Sequence, residues 1–325
     1  MPEPSSPTRS RRGRFFRFAA AVVVLCAVAG YLVVQYVTGG AGDPGCRVVS
    51  ADGKGATYEF TSEQAVNAAT IAAVGTGRGL PERAVTIALA TSLQESGLRN
   101  ITHGDRDSLG LFQQRPSQGW GTKKEIMDPT YAADIFYKHL VKVDDYQDLP
   151  LTVAAQRVQR SGFPEAYAKH EPDATLLAAA LTGEAAATLT CDGRQATAQA
   201  TGPDAVRSAL VRDFGRDVLE TTAAEVGGKA TPTPTPSASR SGERTVTLPV
   251  SENTSPGSKR SLRERGWQLA HWAVANASAL HIERVSYAGR QWTAGNTDSR
   301  WRAADTKGTS GAAKDADAVR IVTAP

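Results

Sequence analysis

Three cysteines, two methionines and five histidines are all that 325 residues provide. They form no CxxC, HxxxH or HExxH pattern, so a structural zinc or a zincin-type centre is not expected, nor is any other cofactor. Aromatic residues are only 6% of the chain, and four of the five tryptophans (Trp267, Trp272, Trp292, Trp301) fall in the last 60 residues. Charge of one sign is scarce outside a single place. Residues 1–17 hold five arginines against Glu3, which accounts for the whole formal charge of +4. The rest is neutral, so no basic surface for nucleic acid is expected. Hydrophobic residues at 41% and charged residues at 22% exclude wholesale disorder. No internal repeat is visible.

The longest stretch without charge opens with the apolar run 18–37, in which Gln35 is the one strongly polar side chain. A helix of that length spans roughly 30 Å of hydrocarbon. The arginines before it predict a basic cytoplasmic tail (1–17), a single transmembrane helix (18–37) set in the lipid bilayer, and an exterior location for everything after it. A cleaved signal peptide is the alternative. The apolar run is long for one, and Gln35-Tyr36-Val37 is a poor cleavage site. Cys26 lies inside this run, whereas Cys46 and Cys191 lie beyond it, in an oxidising setting. Those two bracket the most structured part of the chain and are expected to pair; two free thiols are the alternative.

Residues 38–45 read as a glycine-rich spacer. Tyr58 and Phe60 suggest a short extended piece. Thr61-Ser62-Glu63-Gln64 fits a capping box that opens a helix to about Val74, which Gly75, Gly77 and Gly79 then break. Pro81 opens a second helix, apolar on nearly every face after Arg83 and ended by Gly97. Further helices are expected at about 128–142, 150–160 and 172–188. A helical connector follows (192–228, with an amphipathic helix at 204–226), then a low-complexity linker (229–244). A small α+β unit closes the chain (245–325), with a helix at 261–280 and strands at 281–292 and 319–323. The expected fold class is therefore mainly α.

Glu95 is the first candidate for chemistry. It sits in the last turn of the apolar second helix, followed by Ser96 and Gly97. Partial desolvation and the negative end of the helix dipole favour the protonated form that a general acid needs. Fifteen residues later comes Gly110-Leu111-Phe112-Gln113. The order Gln94-Glu95-Ser96 with Leu98, then GLFQ, preceded by Gly104-Asp105-Arg106, resembles the lysozyme-like superfamily, in particular soluble lytic transglycosylases and goose-type lysozymes. The likeness covers about residues 62–180, and the run 107–121 is similar to secreted or anchored actinobacterial proteins.

The resemblance implies a lysozyme-like helical domain (46–191) with a groove for peptidoglycan glycan strands. Glu95 then stands as the single catalytic acid, which protonates the glycosidic oxygen and afterwards deprotonates the MurNAc 6-hydroxyl to give a 1,6-anhydro product. Ser96, Asp105, Asp107, Gly110, Leu111, Phe112, Gln113, Trp120 and Gln159 are the implied substrate-binding residues. A hydrolase needs a second carboxylate, for which Asp105 and Asp107 are the nearby candidates. Two departures bear on mechanism. The transglycosylase motif whose Tyr holds the catalytic Glu is replaced by a stretch in which Val158 and Gln159 take the Tyr and Asn places, so either Gln159 or Tyr167 takes over, or activity is weak. Arg115 stands where goose-type enzymes have an Asp, which favours transglycosylation over hydrolysis. The competing reading is a non-catalytic module that binds or scaffolds peptidoglycan. The last 80 residues resemble a small accessory domain of cell-wall proteins. His271, His281, Asp298 and Asp305 show no ligand spacing.

Overall fold

Cys46-Arg47-Val48-Val49 alternates buried and half-buried positions, the period of a strand with one covered face. The computed structural model describes residues 45–53, 55–163, 165–193, 201–220, 244–250, 260–295, 300–304 and 318–325. In it this run is strand β1 (Cys46–Val49), which pairs antiparallel with β2 (Thr57–Phe60) on one edge and β3 (Leu189–Cys191) on the other. Cys46 and Cys191 are direct register partners and form a disulfide across 145 residues of sequence.

Helix α1 (Ser62–Gly77) starts on the expected capping box. The Gln64 amide N–H donates to Thr61 Oγ1 at 3.3 Å, and Gln64 Oε1 accepts from the Thr61 N–H at 2.7 Å. It runs past the stop expected at Val74, because Gly75 there serves packing rather than breakage. A Cβ at Gly75 would lie 2.6 Å from Tyr137 Oη, whose hydroxyl donates to Ile71 O. Helix α2 (Glu82–Ser96) follows Pro81 and is buried almost throughout. Then come α3 (Lys123–Ile126), α4 (Pro129–Leu140), α5 (Leu151–Gln159) and α6 (Glu171–Thr182). Helices α1, α4, α5 and α6 all pack on α2, which is why α2 has no polar face. The connector contains α7 (Pro203–Phe214) and α8 (Asp217–Glu220). The C-terminal part has β4 (Thr245–Pro249), α9 (Leu262–Ala275), α10 (Ala277–Leu280), β5 (Ile282–Tyr287), β6 (Arg290–Thr293), β7 (Arg302–Ala303) and β8 (Ala318–Thr323). Its sheet is antiparallel with strand order β4-β8-β5-β6-β7.

The expected architecture, a mainly α domain behind a transmembrane helix with a separate C-terminal unit, is corrected in three respects. First, two antiparallel sheets stand beside the helices. The helix expected over residues 172–188 stops early: α6 ends at Thr182, on Gly183 in the left-handed region, and β3 begins at Leu189. Second, among the described residues no helix is long and apolar enough to cross a membrane. Residues 18–37, where such a helix was expected, lie outside the described residues, as do the basic tail, nearly all of the 38–45 spacer and nearly all of the 229–244 linker. Third, residues 44–325 form one compact unit. The reason is α9, buried continuously from Gly266 to Ala275. A helix enclosed on all sides needs neighbours on all sides, and α6 and α1 are among them. Several of its polar side chains bond to neighbouring helices, although Trp267 Nε1 and His271 Nε2 are buried without a partner among the described residues. Gln268 donates to Thr76 Oγ1 at 2.6 Å, and Trp272 Nε1 donates to buried Asp213 at 2.8 Å. Trp292 and Trp301 donate to the carbonyls of Cys191 and Leu189 at 3.0 and 2.9 Å.

His271 makes the same junction sensitive to pH. Fully buried, it places Nδ1 2.7 Å from Ala180 O on α6, so that nitrogen carries the hydrogen. Burial pushes its pKa down from 6.5 to about 4, partly offset by that carbonyl. The folded-state value is depressed, so the unfolded chain binds the proton first and stability is lost as pH falls from about 6.5 to about 4. The expected loss is about 3 kcal/mol. Glu82 acts in the opposite sense: burial first, then Glu184, push its carboxyl up to about 8. Comparison with a variant isolates the histidine. In urea melts, the advantage of wild type over His271→Gln is expected to shrink by most of that amount between pH 7 and pH 4.5. An unchanged advantage would refute the assignment.

Candidate active site

Glu95 is half-buried in the last turn of α2. The helix has to end there, since Gly97 adopts φ +63° and its N–H turns back to Leu93 O. Helix α1 fixes this end from the side: Gln64 Nε2 donates to Gly97 O at 2.9 Å and Asn67 Nδ2 to Leu98 O at 2.8 Å. Two serines one turn apart on α2 then reach the GLFQ segment. Ser92 and Ser96 both donate to Leu111 O, at 3.1 and 2.8 Å.

That segment is a tight turn closed by reciprocal Leu109 and Gln114 main-chain hydrogen bonds of 3.0 Å. Gly110 has φ +74°, and a Cβ on it would lie 2.8 Å from Ile126 O, so both the conformation and the space require glycine. Leu111 and Phe112 are fully buried, with Phe112 stacked on Phe136 at 4.6 Å between ring centroids. Phe112 O accepts from Gln159 Nε2 at 2.8 Å. Four of the residues expected to bind substrate are therefore engaged within the fold itself. Ser96, Leu111 and Phe112 are buried, and Gln159 uses its amide to tie α5 to the turn.

The partner of Glu95 is Tyr167. Its hydroxyl donates to Glu95 Oε1 at 2.7 Å. Burial first, then the charge and hydrogen bond of Glu95, push the Tyr167 hydroxyl well above its ordinary value, so it remains a donor. Of the two residues that sequence left open, Tyr167 holds the carboxylate and Gln159 does not. Tyr167 lies beyond α5, in the loop that leads to the 3-10 turn Ala168–His170. His170 Nε2 sits 3.1 Å from Gln94 Oε1. The same loop carries Phe163, 77% exposed. Sequence reasoning missed both; an unpaired aromatic in a Gly-containing loop was the available signal for Phe163.

The remaining candidates are spread along the loops. Asp107 accepts from Arg115 Nε at 2.9 Å, the Ser117 N–H at 2.8 Å and the Ser117 hydroxyl at 3.0 Å. The Ser117 N–H first, then Arg115, hold its carboxyl well below the usual carboxylate range. Asp105 has a side chain 92% exposed, with only Arg106 near at 3.9 Å. Gln113 donates to Gly110 O at 3.2 Å, which stiffens the turn. Trp120 packs at a tilt against His139, with 4.4 Å between ring centroids, while its carbonyl accepts from the Tyr131 hydroxyl.

The family model that matches is the VldE C-terminal domain, over residues 220–314. No curated protein matches the chain. The matched stretch covers less than a third of the sequence and includes α9 and strands β4 to β7, but neither Glu95, Tyr167 nor the GLFQ turn. It bears on the C-terminal sheet and not on the chemistry of Glu95.

Proposed function

We propose that this chain cleaves the glycan strands of peptidoglycan in the manner of a lytic transglycosylase, with Glu95 as general acid and then general base. The observation that carries the reading is the 2.7 Å hydrogen bond from Tyr167 to Glu95 Oε1. One carboxylate oxygen is held, and the other is left for proton transfer. In the proposed reaction Glu95 gives its proton to the departing O4 as the C1–O4 bond breaks. It then takes the proton from the MurNAc 6-hydroxyl as the C1–O6 bond forms. Neither water nor a second carboxylate enters. That suits a site whose nearest acids in sequence are engaged otherwise: Asp107 is bound into its own loop, and Asp105 projects into solvent. Phe163 offers an exposed ring for a sugar face on the loop that holds Tyr167. The disulfide supports an extracytoplasmic setting, where such strands are found. The test is digestion of purified sacculi by the protein, with mass spectrometry of the products: 1,6-anhydro-MurNAc ends are expected.

Tyr167 is a positioning residue in this reading. Tyr167→Phe removes one hydrogen bond to the carboxylate that forms as Glu95 gives up its proton, a contribution of about 1.5–3 kcal/mol in that charged state. The expected result is a 10- to 100-fold fall in kcat with KM little changed. A rise in KM at constant kcat would place the tyrosine on the substrate instead.

A further inference from the structure

A cleft of about 430 Å³ opens beside the GLFQ turn, walled in part by Gln113 and Gln159. Four of its lining side chains are cations, Arg115, Lys142, Arg157 and Arg160, and no carboxylate lines it. Arg115 is neutralised by Asp107 at 2.9 Å. Lys142, Arg157 and Arg160 make no ion pair among the described residues. Arg157 reaches only the main-chain O of Asp144, at 3.5 Å. The C-terminal ends of α4 and α5 contribute about half a negative charge each. Three full positive charges outweigh them, and the cleft is left net positive. His139 in its wall registers that field: burial first, then Lys142 and Arg160, hold its imidazole below the ordinary value. Folding gains nothing from three like charges around one concavity, whereas an anion placed there relieves all three. The rest of the lining is the tilted Trp120–His139 pair, glutamine amides and two valines, a surface suited to a sugar ring rather than to a bare ion.

We propose that this cleft binds a carboxylate-bearing saccharide, so that Lys142, Arg157 and Arg160 recognise the acidic substituent of the strand while its ring lies against Trp120. The inference deepens the glycan-strand reading and rests on it for the polymer, but its test is separate. Affinities of the full chain are measured by calorimetry at low salt for three probes: neutral chitotetraose, a muramyl disaccharide-dipeptide, and inorganic phosphate. Wild type is expected to hold the muramyl probe about tenfold more tightly than chitotetraose, with a gap that closes at high salt. The double variant Lys142→Gln/Arg157→Gln is expected to lose the gap and keep chitotetraose affinity, and Arg160→Asn to lose part of it. Lys142→Arg is expected to retain it, which separates loss of charge from loss of fold. Equal affinity for both saccharides in wild type, or a gap that survives in the double variant, overturns the proposal. So does phosphate binding tighter than the muramyl probe. A chain that shows the gap but releases nothing from sacculi overturns the cleavage reading and leaves the cleft assignment standing. One that cleaves sacculi without the gap does the reverse.

Discussion

Glu95→Gln is expected to lower release of soluble fragments from purified sacculi by about 10²- to 10⁴-fold, the usual contribution of one positioned proton-transfer group. The substitution keeps shape and still accepts the Tyr167 hydroxyl hydrogen through its amide oxygen, so the local frame is preserved. Binding to sacculi is therefore expected to persist, and sedimentation with insoluble sacculi checks it. Asp105→Asn is expected to change the rate little, because that side chain is almost wholly in solvent. Asp107→Asn loosens the clamp on Arg115 and Ser117 and is expected to leave the product unchanged. A dead Asp variant together with reducing-end MurNAc as the wild-type product would show water-based hydrolysis with a second carboxylate. Wild-type protein that binds sacculi and releases nothing would establish a binding module.

Removal of the Cys46–Cys191 disulfide by serine at both positions is expected to cost about 4–5 kcal/mol, on the view that closure of a 145-residue loop restrains the unfolded chain. The bond spans α1 to α6, the helices that build the Glu95 site, so the loss reaches the site as well as the sheet. Midpoints of urea denaturation for the oxidised protein, the reduced protein and the double serine variant measure it. The reduced protein and the variant are expected to coincide, both well below the oxidised form. A difference under about 1 kcal/mol would show that pairing of β1 with β3 holds the loop ends together without the bond.

Local signals in the sequence were enough for several elements. The capping box at Thr61, the proline before α2 and the stop at Gly97 are short-range chemistry, and each appears where the residues place it. The all-round apolar character of α2 announced a central helix, and with it a carboxylate at its end worth attention. The cysteine pair followed from compartment and position. What needed tertiary structure was every pairing between distant residues. The sheet order β2-β1-β3 joins chain segments more than a hundred residues apart, which no local periodicity encodes. Gly75 looked like a helix breaker and instead makes room for Tyr137 from α4. The α9 helix looked like part of a separate unit, yet the partners of Gln268 and His271 lie on α1 and α6. The site shows the same division. Glu95 and the GLFQ turn were legible because their spacing is short and their residue types are restricted. That Tyr167 and not Gln159 holds the carboxylate, and that Lys142, Arg157 and Arg160 face one cleft, depended on how α4, α5 and the following loop pack against α2. Side chains far apart in sequence acquire a common environment only through packing, and their chemistry there is a property of the fold.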